Sequence, residues 1–231
     1  MENNYSYSGS SVQTAQVSLM KSLYLWMSIA LAVTGITAMA VDASYSLQQL
    51  LFGGRYTFLV LAIAEVALVI YLTARITRMS FATAMVSFLA YSFLNGLTLS
   101  VIFLAYTKAS IASTFFVTAG TFAAMSLYGY FTKKDLSSWG NIFFMALIGL
   151  IIASVVNIFW ANSTLYWVIT YAGVLIFVGL TAYDTHRIKQ VLANQEINES
   201  TQKLALLGAL TLYLDFINMF LYLLRIFGDR R

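Results

Sequence analysis

Charged side chains are sparse along this chain, and the apolar stretches between them have nearly one length. Lys21 and Asp42 bracket an apolar run at 22–41. Arg55 and Arg75 bracket one at 56–74, interrupted only by Glu65, and a third lies at 81–105 between Arg78 and Lys108. A fourth covers 109–132. From Asp135 to Asp184 there is no charge, and the turn-like Ala161-Asn162-Ser163-Thr164 divides that stretch into 139–160 and 165–183. The last run, 204–224, is interrupted only by Asp215. A charge at mid-bilayer costs roughly 2.5–3.5 kcal/mol, and about 20 apolar residues are needed to cross. The spacing therefore predicts seven transmembrane helices in one membrane domain over 21–231. Residues 1–20, rich in Ser, Asn and Tyr, read as a polar flexible tail and lack the charged and apolar regions of a signal peptide.

Composition supports an all-α integral membrane protein. Of 231 residues, 60% are hydrophobic and 10% charged, and the mean hydropathy is +0.79. So few charges cannot cover a soluble globule. The net charge of +4 is too dispersed for nucleic-acid binding. The absence of cysteine excludes disulfides, thiolate metal sites and cysteine nucleophiles. Lys21, Arg75, Arg78, Lys133, Lys134, Arg187, Lys189 and Lys203 fall on the N-terminal side. Arg55, Lys108, Arg225, Arg230 and Arg231 fall on the other. This asymmetry predicts a cytoplasmic N-terminus. With seven spans the C-terminus is external, and a re-entrant segment would place both ends inside.

An enzyme is not expected. With one histidine, His186, beyond the sixth run and no Gly-x-Ser opposite it, a rhomboid-type serine protease does not fit. An aspartyl intramembrane protease needs Gly-x-Gly-Asp and Pro-Ala-Leu, whereas here the seventh run reads Leu-Tyr-Leu-Asp and the chain has no proline. That absence also weakens the reading as a proline-motif sugar transporter. The last run has no lysine for retinal.

Polar groups within the spans carry the functional signal, because each is costly there and turns inward. Thr211, Asp215, Asn218, Tyr222 and Arg225 follow at steps of four and three, which places them on one helical face. Such a stripe is either glue between helices or the lining of a path. Either way it needs partners, so the seventh helix is expected to be the most buried. Asp184 closes the sixth run, either as a surface partner of Arg187 or, a turn inside the membrane, as a neighbour of Asp215. Two carboxylates in contact at low dielectric cannot both ionise cheaply and titrate as a coupled pair. Glu65 stands mid-span, either hydrogen-bonded to a neighbouring helix or lining a path.

Several of these segments resemble one family. Leu212-Tyr213-Leu214-Asp215-Phe216-Ile217-Asn218, followed by Leu223-Leu224-Arg225-Ile226-Phe227-Gly228, resembles the signature of the Bax-inhibitor (transmembrane Bax-inhibitor-motif) family. Ala182-Tyr183-Asp184-Thr185, Ala64-Glu65-Val66-Ala67 and Asn95-Gly96-Leu97-Thr98-Leu99 resemble its sixth, second and third helix motifs. The resemblance implies a central seventh helix wrapped by the other six and a pH-sensitive calcium leak, in a bacterial member of the inner membrane. It makes Asp184 and Asp215 the pH sensor and calcium path, with an arginine after the second helix, Arg78 or Arg75, as a latch. Calcium is then a permeant ion rather than a cofactor, and the partners are the lipid bilayer and calcium or other cations. Some bacterial relatives instead modulate a membrane-bound ATP-dependent protease, which is the alternative function.

Overall fold

The computed structural model describes residues 4–54 and 56–231, with side chains from Thr14 onward. Every apolar run is helical. In chain order the helices are α1 (Asn4–Ala43), α2 (Tyr45–Phe52), α3 (Thr57–Arg75), α4 (Phe81–Leu99) and α5 (Ile102–Ala105). They continue as α6 (Lys108–Phe131), α7 (Ser137–Trp160), α8 (Ser163–Val191) and α9 (Glu199–Phe227), and a 3-10 turn, Ile76–Arg78, follows α3. Among the described residues seven helical segments are long and apolar enough to cross a membrane, as the charge spacing predicts. Among the described residues the β-structure is a single isolated bridge between Tyr106 and Arg230.

Helix ends differ from the apolar runs where packing, not charge, sets them. α1 begins inside the segment read as a tail, because the stripe Ala15, Leu19, Leu23, Met27 and Ala30 starts before Lys21 and is buried. Residues 1–3 of that expected tail, and the bracketing Arg55, lie outside the described residues. The third run breaks after Leu99, where the Ser100 hydroxyl donates to the Leu97 carbonyl at 2.6 Å, and resumes as α5. The turn between α7 and α8 falls at Ala161, whose φ of 47° is left-handed. Asn157 Oδ1 accepts from the Asn162 backbone N–H there, and Asn162 Oδ1 accepts from that of Leu165. α8 continues to Val191, since no glycine or proline stops it after Asp184. α9 starts at Glu199, where Asn198 Oδ1 and Thr201 Oγ1 accept from each other's backbone N–H at 3.0 Å.

The chain forms two compact units. The first comprises residues 1–105 and 192–210. Within it α4 packs on α1 and on α3. Gly96 permits the first contact, because a Cβ there would stand 2.7 Å from the Thr34 carbonyl oxygen. Thr34 also donates to the Ser92 carbonyl at 2.9 Å.

The second unit comprises residues 106–191 and 211–231, and in it α6 and α7 pack on α8. Gly129 of α6 meets the Ala182 carbonyl of α8 so closely that no side chain fits between them. Beside this point the Ser126 and Thr185 hydroxyls are 3.2 Å apart. From the second half of α9, Phe216 meets the rings of Phe115 and Phe122 edge-on at 5.4 and 5.5 Å. Tyr222 stacks on Phe177 and covers Gly173.

Burial separates the spans by role. Two thirds of the apolar core of α9 is buried, the largest share of the seven, against 6% for α3 and α7. On α7 the exposed side chains include Phe144, Met145 and Ile158, the apolar surface a lipid-facing helix presents.

Candidate functional site

Within the second unit α8 and the second half of α9 bring two carboxyl groups together. The side chains of Asp184 and Asp215 lie within hydrogen-bonding range of each other. This follows from the extension of α8, which places Asp184 two turns before the helix end instead of at a loop. Asp184 is half-buried and feels the Arg187 guanidinium one turn on, while Asp215 is buried at 5% exposure. Asp215 Oδ2 has no hydrogen-bond partner although it is fully enclosed. The pair thus has one arm toward the helix end and one free acceptor in the interior. Among the described residues no third acidic or histidine side chain joins it as a metal centre.

The rest of the α9 stripe is half-buried and divides its bonding. Thr211 lies just N-terminal to the pair and has a bonded partner. The Asn218 amide donates to the Leu214 carbonyl of its own helix at 2.8 Å. Tyr222 stacks on Phe177, and the Arg225 guanidinium lies over the Tyr222 ring at 5.0 Å and the Tyr166 ring at 5.5 Å.

At the other end of α8 from Tyr166, the surroundings of Asp184 are held by groups whose roles sequence pattern did not announce. His186 is buried, with Nδ1 3.3 Å from the Gly129 carbonyl and Nε2 2.9 Å from the Gln190 amide, so it ties α8 to α6. Lys189 donates to the Tyr130 carbonyl at 2.7 Å and covers its ring. In the loop before α7, Asp135 Oδ1 accepts from the Ser137 N–H at 2.8 Å. Hydrogen bonds from the Ser137 side chain and backbone hold that carboxyl below the usual carboxylate range.

The remaining candidates belong to the first unit. Glu65 of α3 is gripped by α4: the Asn95 amide donates to Oε1, the Thr98 hydroxyl donates to Oε2 at 2.9 Å, and the Tyr91 hydroxyl is within hydrogen-bonding range. All three partners are buried. Their spacing of four and three is the same periodicity that marks the α9 stripe, and it was readable as a polar face of the third span. Arg75 and Arg78, the latch candidates, are exposed at the end of α3 and in the turn that follows. That turn is clasped by the start of α9. Lys203 donates to the carbonyls of Met79 (2.9 Å) and Thr77 (3.4 Å), and Glu199 Oε1 accepts from the Phe81 N–H at 3.0 Å. Glu199 and Lys203 also pair at 3.9 Å, and their i,i+4 spacing was the only sequence sign of the clasp.

Comparison with known proteins places the chain. The family described as Inhibitor of apoptosis-promoting Bax1 matches residues 16–231. The inner membrane protein YbhL of Escherichia coli is 52% identical over 214 residues, covering 92% of each chain. An uncharacterized protein of Rickettsia prowazekii is 42% identical over 212 residues, covering 92% of this chain and 89% of its own. One from Borreliella burgdorferi is 43% identical over 206 residues, 89% of each. This chain belongs to the Bax inhibitor family.

Proposed function

We propose that this Bax inhibitor family protein is a pH-sensitive calcium (cation) leak channel of a bacterial inner membrane, with a cytoplasmic N-terminus. Its function is transport, not catalysis. The observation that carries the reading is the Asp184–Asp215 pair, two carboxyls on different helices with one enclosed oxygen left unbonded. The inner membrane protein YbhL of Escherichia coli, 52% identical, supports the inner-membrane assignment.

A shared proton lets one carboxyl donate to the other and holds α8 and α9 together. When both are ionised, two unit charges about 4 Å apart repel by ~4 kcal/mol at an effective dielectric of 20. That approaches the ~5.5 kcal/mol needed to turn a two-state equilibrium from 1:99 to 99:1. Separation then opens a path along the stripe Thr211, Asp215, Asn218, Tyr222 and Arg225, and the ionised pair attracts cations to it. Among the described residues no third acidic or histidine side chain stands with the pair, which suits an ion in transit. Arg78 or Arg75 acts as the latch, so neutralising it shifts the midpoint of gating.

The test is reconstitution into liposomes loaded with a calcium indicator, across a pH series. Flux is expected to rise with pH as the pair loses its shared proton. Flux equal to that of empty liposomes at every pH removes the channel reading and leaves regulation of a membrane-bound ATP-dependent protease as the alternative.

A further inference from the structure

The other end of the second unit, where α6 and α8 begin and α9 finishes, holds a basic and aromatic cluster. The proposed gate makes no use of Tyr106, Tyr166 or Arg230. The backbone after α9 is pinned to the start of α6 by the Tyr106–Arg230 bridge and by the Thr107 N–H, which donates to the Asp229 carbonyl at 3.0 Å. This fixes Arg230, whose Nη2 donates to the Tyr166 hydroxyl at 3.2 Å and whose guanidinium lies near the Tyr106 hydroxyl. Arg225 reaches the same tyrosine from its face, 5.5 Å above the ring, with Tyr222 as its second ring. Tyr166 therefore holds one guanidinium on its π-face and another on its hydroxyl.

Two like charges converge here with no carboxylate between them. Neither arginine forms an ion pair with Asp229 or with any other described residue. Aromatic faces satisfy a guanidinium's plane but not its N–H edge, which is built to take carboxylate or phosphate oxygens two at a time. Among the described residues Arg225 meets only these two rings, so its N–H edge is open to an acceptor. Beside the cluster the Trp167 ring meets that of Tyr166 edge-on at 5.6 Å, stacks on Tyr171 and is 42% exposed. Rings of this kind sit where acyl chains meet headgroups.

We propose that Arg225 and Arg230, oriented by Tyr166, Tyr222 and Tyr106, bind the phosphate of an anionic phospholipid headgroup. A lipid fits better than free phosphate because the exposed Trp167 ring beside Tyr166 gives its acyl chains an apolar surface. The proposal shares Arg225 and Tyr222 with the path proposed above, but it does not rest on the carboxylate pair and its test reads lipid retention instead of flux.

Native mass spectrometry of the full chain after titration with phosphatidylglycerol tests it, with phosphatidylcholine and inorganic phosphate as comparison arms. Phosphatidylglycerol is expected to be retained over phosphatidylcholine. Loss of a charge-assisted hydrogen bond should weaken that retention about tenfold in Arg230→Gln, and further in Arg225→Gln/Arg230→Gln. Arg230 is exposed and beyond the last helix, so its variant folds even where Arg225→Gln does not. Tyr166→Phe, which keeps the ring and removes the hydroxyl, should give a smaller loss. Equal retention of the two lipids, or unchanged retention in Arg230→Gln, overturns the proposal. So does full displacement by millimolar inorganic phosphate, which would assign the site to a free anion.

Discussion

Thr98 Oγ1 of α4 lies 2.9 Å from Glu65 Oε2 of α3, and with Asn95 and Tyr91 it brings three donors onto one intramembrane carboxyl. The contact engages the Glu65 side chain with a neighbouring helix, one of the two expectations held for it. It also makes the residue a tether whose loss has a measurable size.

Glu65→Ala removes the bonds from Asn95, Thr98 and Tyr91 that hold α3 to α4. At the membrane average of ~0.6 kcal/mol per interhelical hydrogen bond, the expected loss is about 2 kcal/mol. Unfolding in mixed micelles reads it directly. Glu65→Gln retains an acceptor and should recover part of the loss, whereas a Glu65 outside the tether would leave both variants as stable as the parent chain.

The carboxylate pair makes a sharper demand. Asp215→Asn keeps a hydrogen-bonding side chain but no charge, so it should flatten the pH dependence of calcium flux. Asp184→Asn should act on the same step, and the double variant should match either single one instead of summing them. Liposome flux from the four proteins across pH closes this cycle. Additive effects would mean that the two groups titrate independently and would remove the sensor.

Lys203 should control the order of the turn that carries Arg78. Lys203→Met keeps the apolar stem but gives up the bonds to Met79 and Thr77 and the pair with Glu199. A largely buried charged donor of this kind is worth about 1.5 kcal/mol. Hydrogen exchange at residues 76–81 should accelerate by roughly tenfold, while the α6–α8 contact at Gly129 stays protected. Unchanged exchange at the turn would reduce the clasp to a surface contact.

What the sequence determined by itself is what depends on local spacing. Seven spans follow from where charges fall, because the cost of burying a charge acts on each residue wherever its neighbours lie. The stripe from Thr211 to Arg225 follows from helical periodicity, and the Leu-Tyr-Leu-Asp segment, with the motifs around Glu65, Asn95 and Asp184, carries the resemblance to the family. Tertiary structure decided the pairings. Periodicity states which face of a helix is polar but not which helix meets it, so the partners of Glu65 on α4 and the reach of Lys203 to Met79 were silent. The Asp184–Asp215 contact needed two long-range decisions. α8 had to run on past a charge that sequence took for its end, and that end of α8 had to be seated on α6, where Gly129 admits the Ala182 carbonyl and nothing larger. Those distances are set by close packing between helices remote in the chain, which no single stretch of sequence contains.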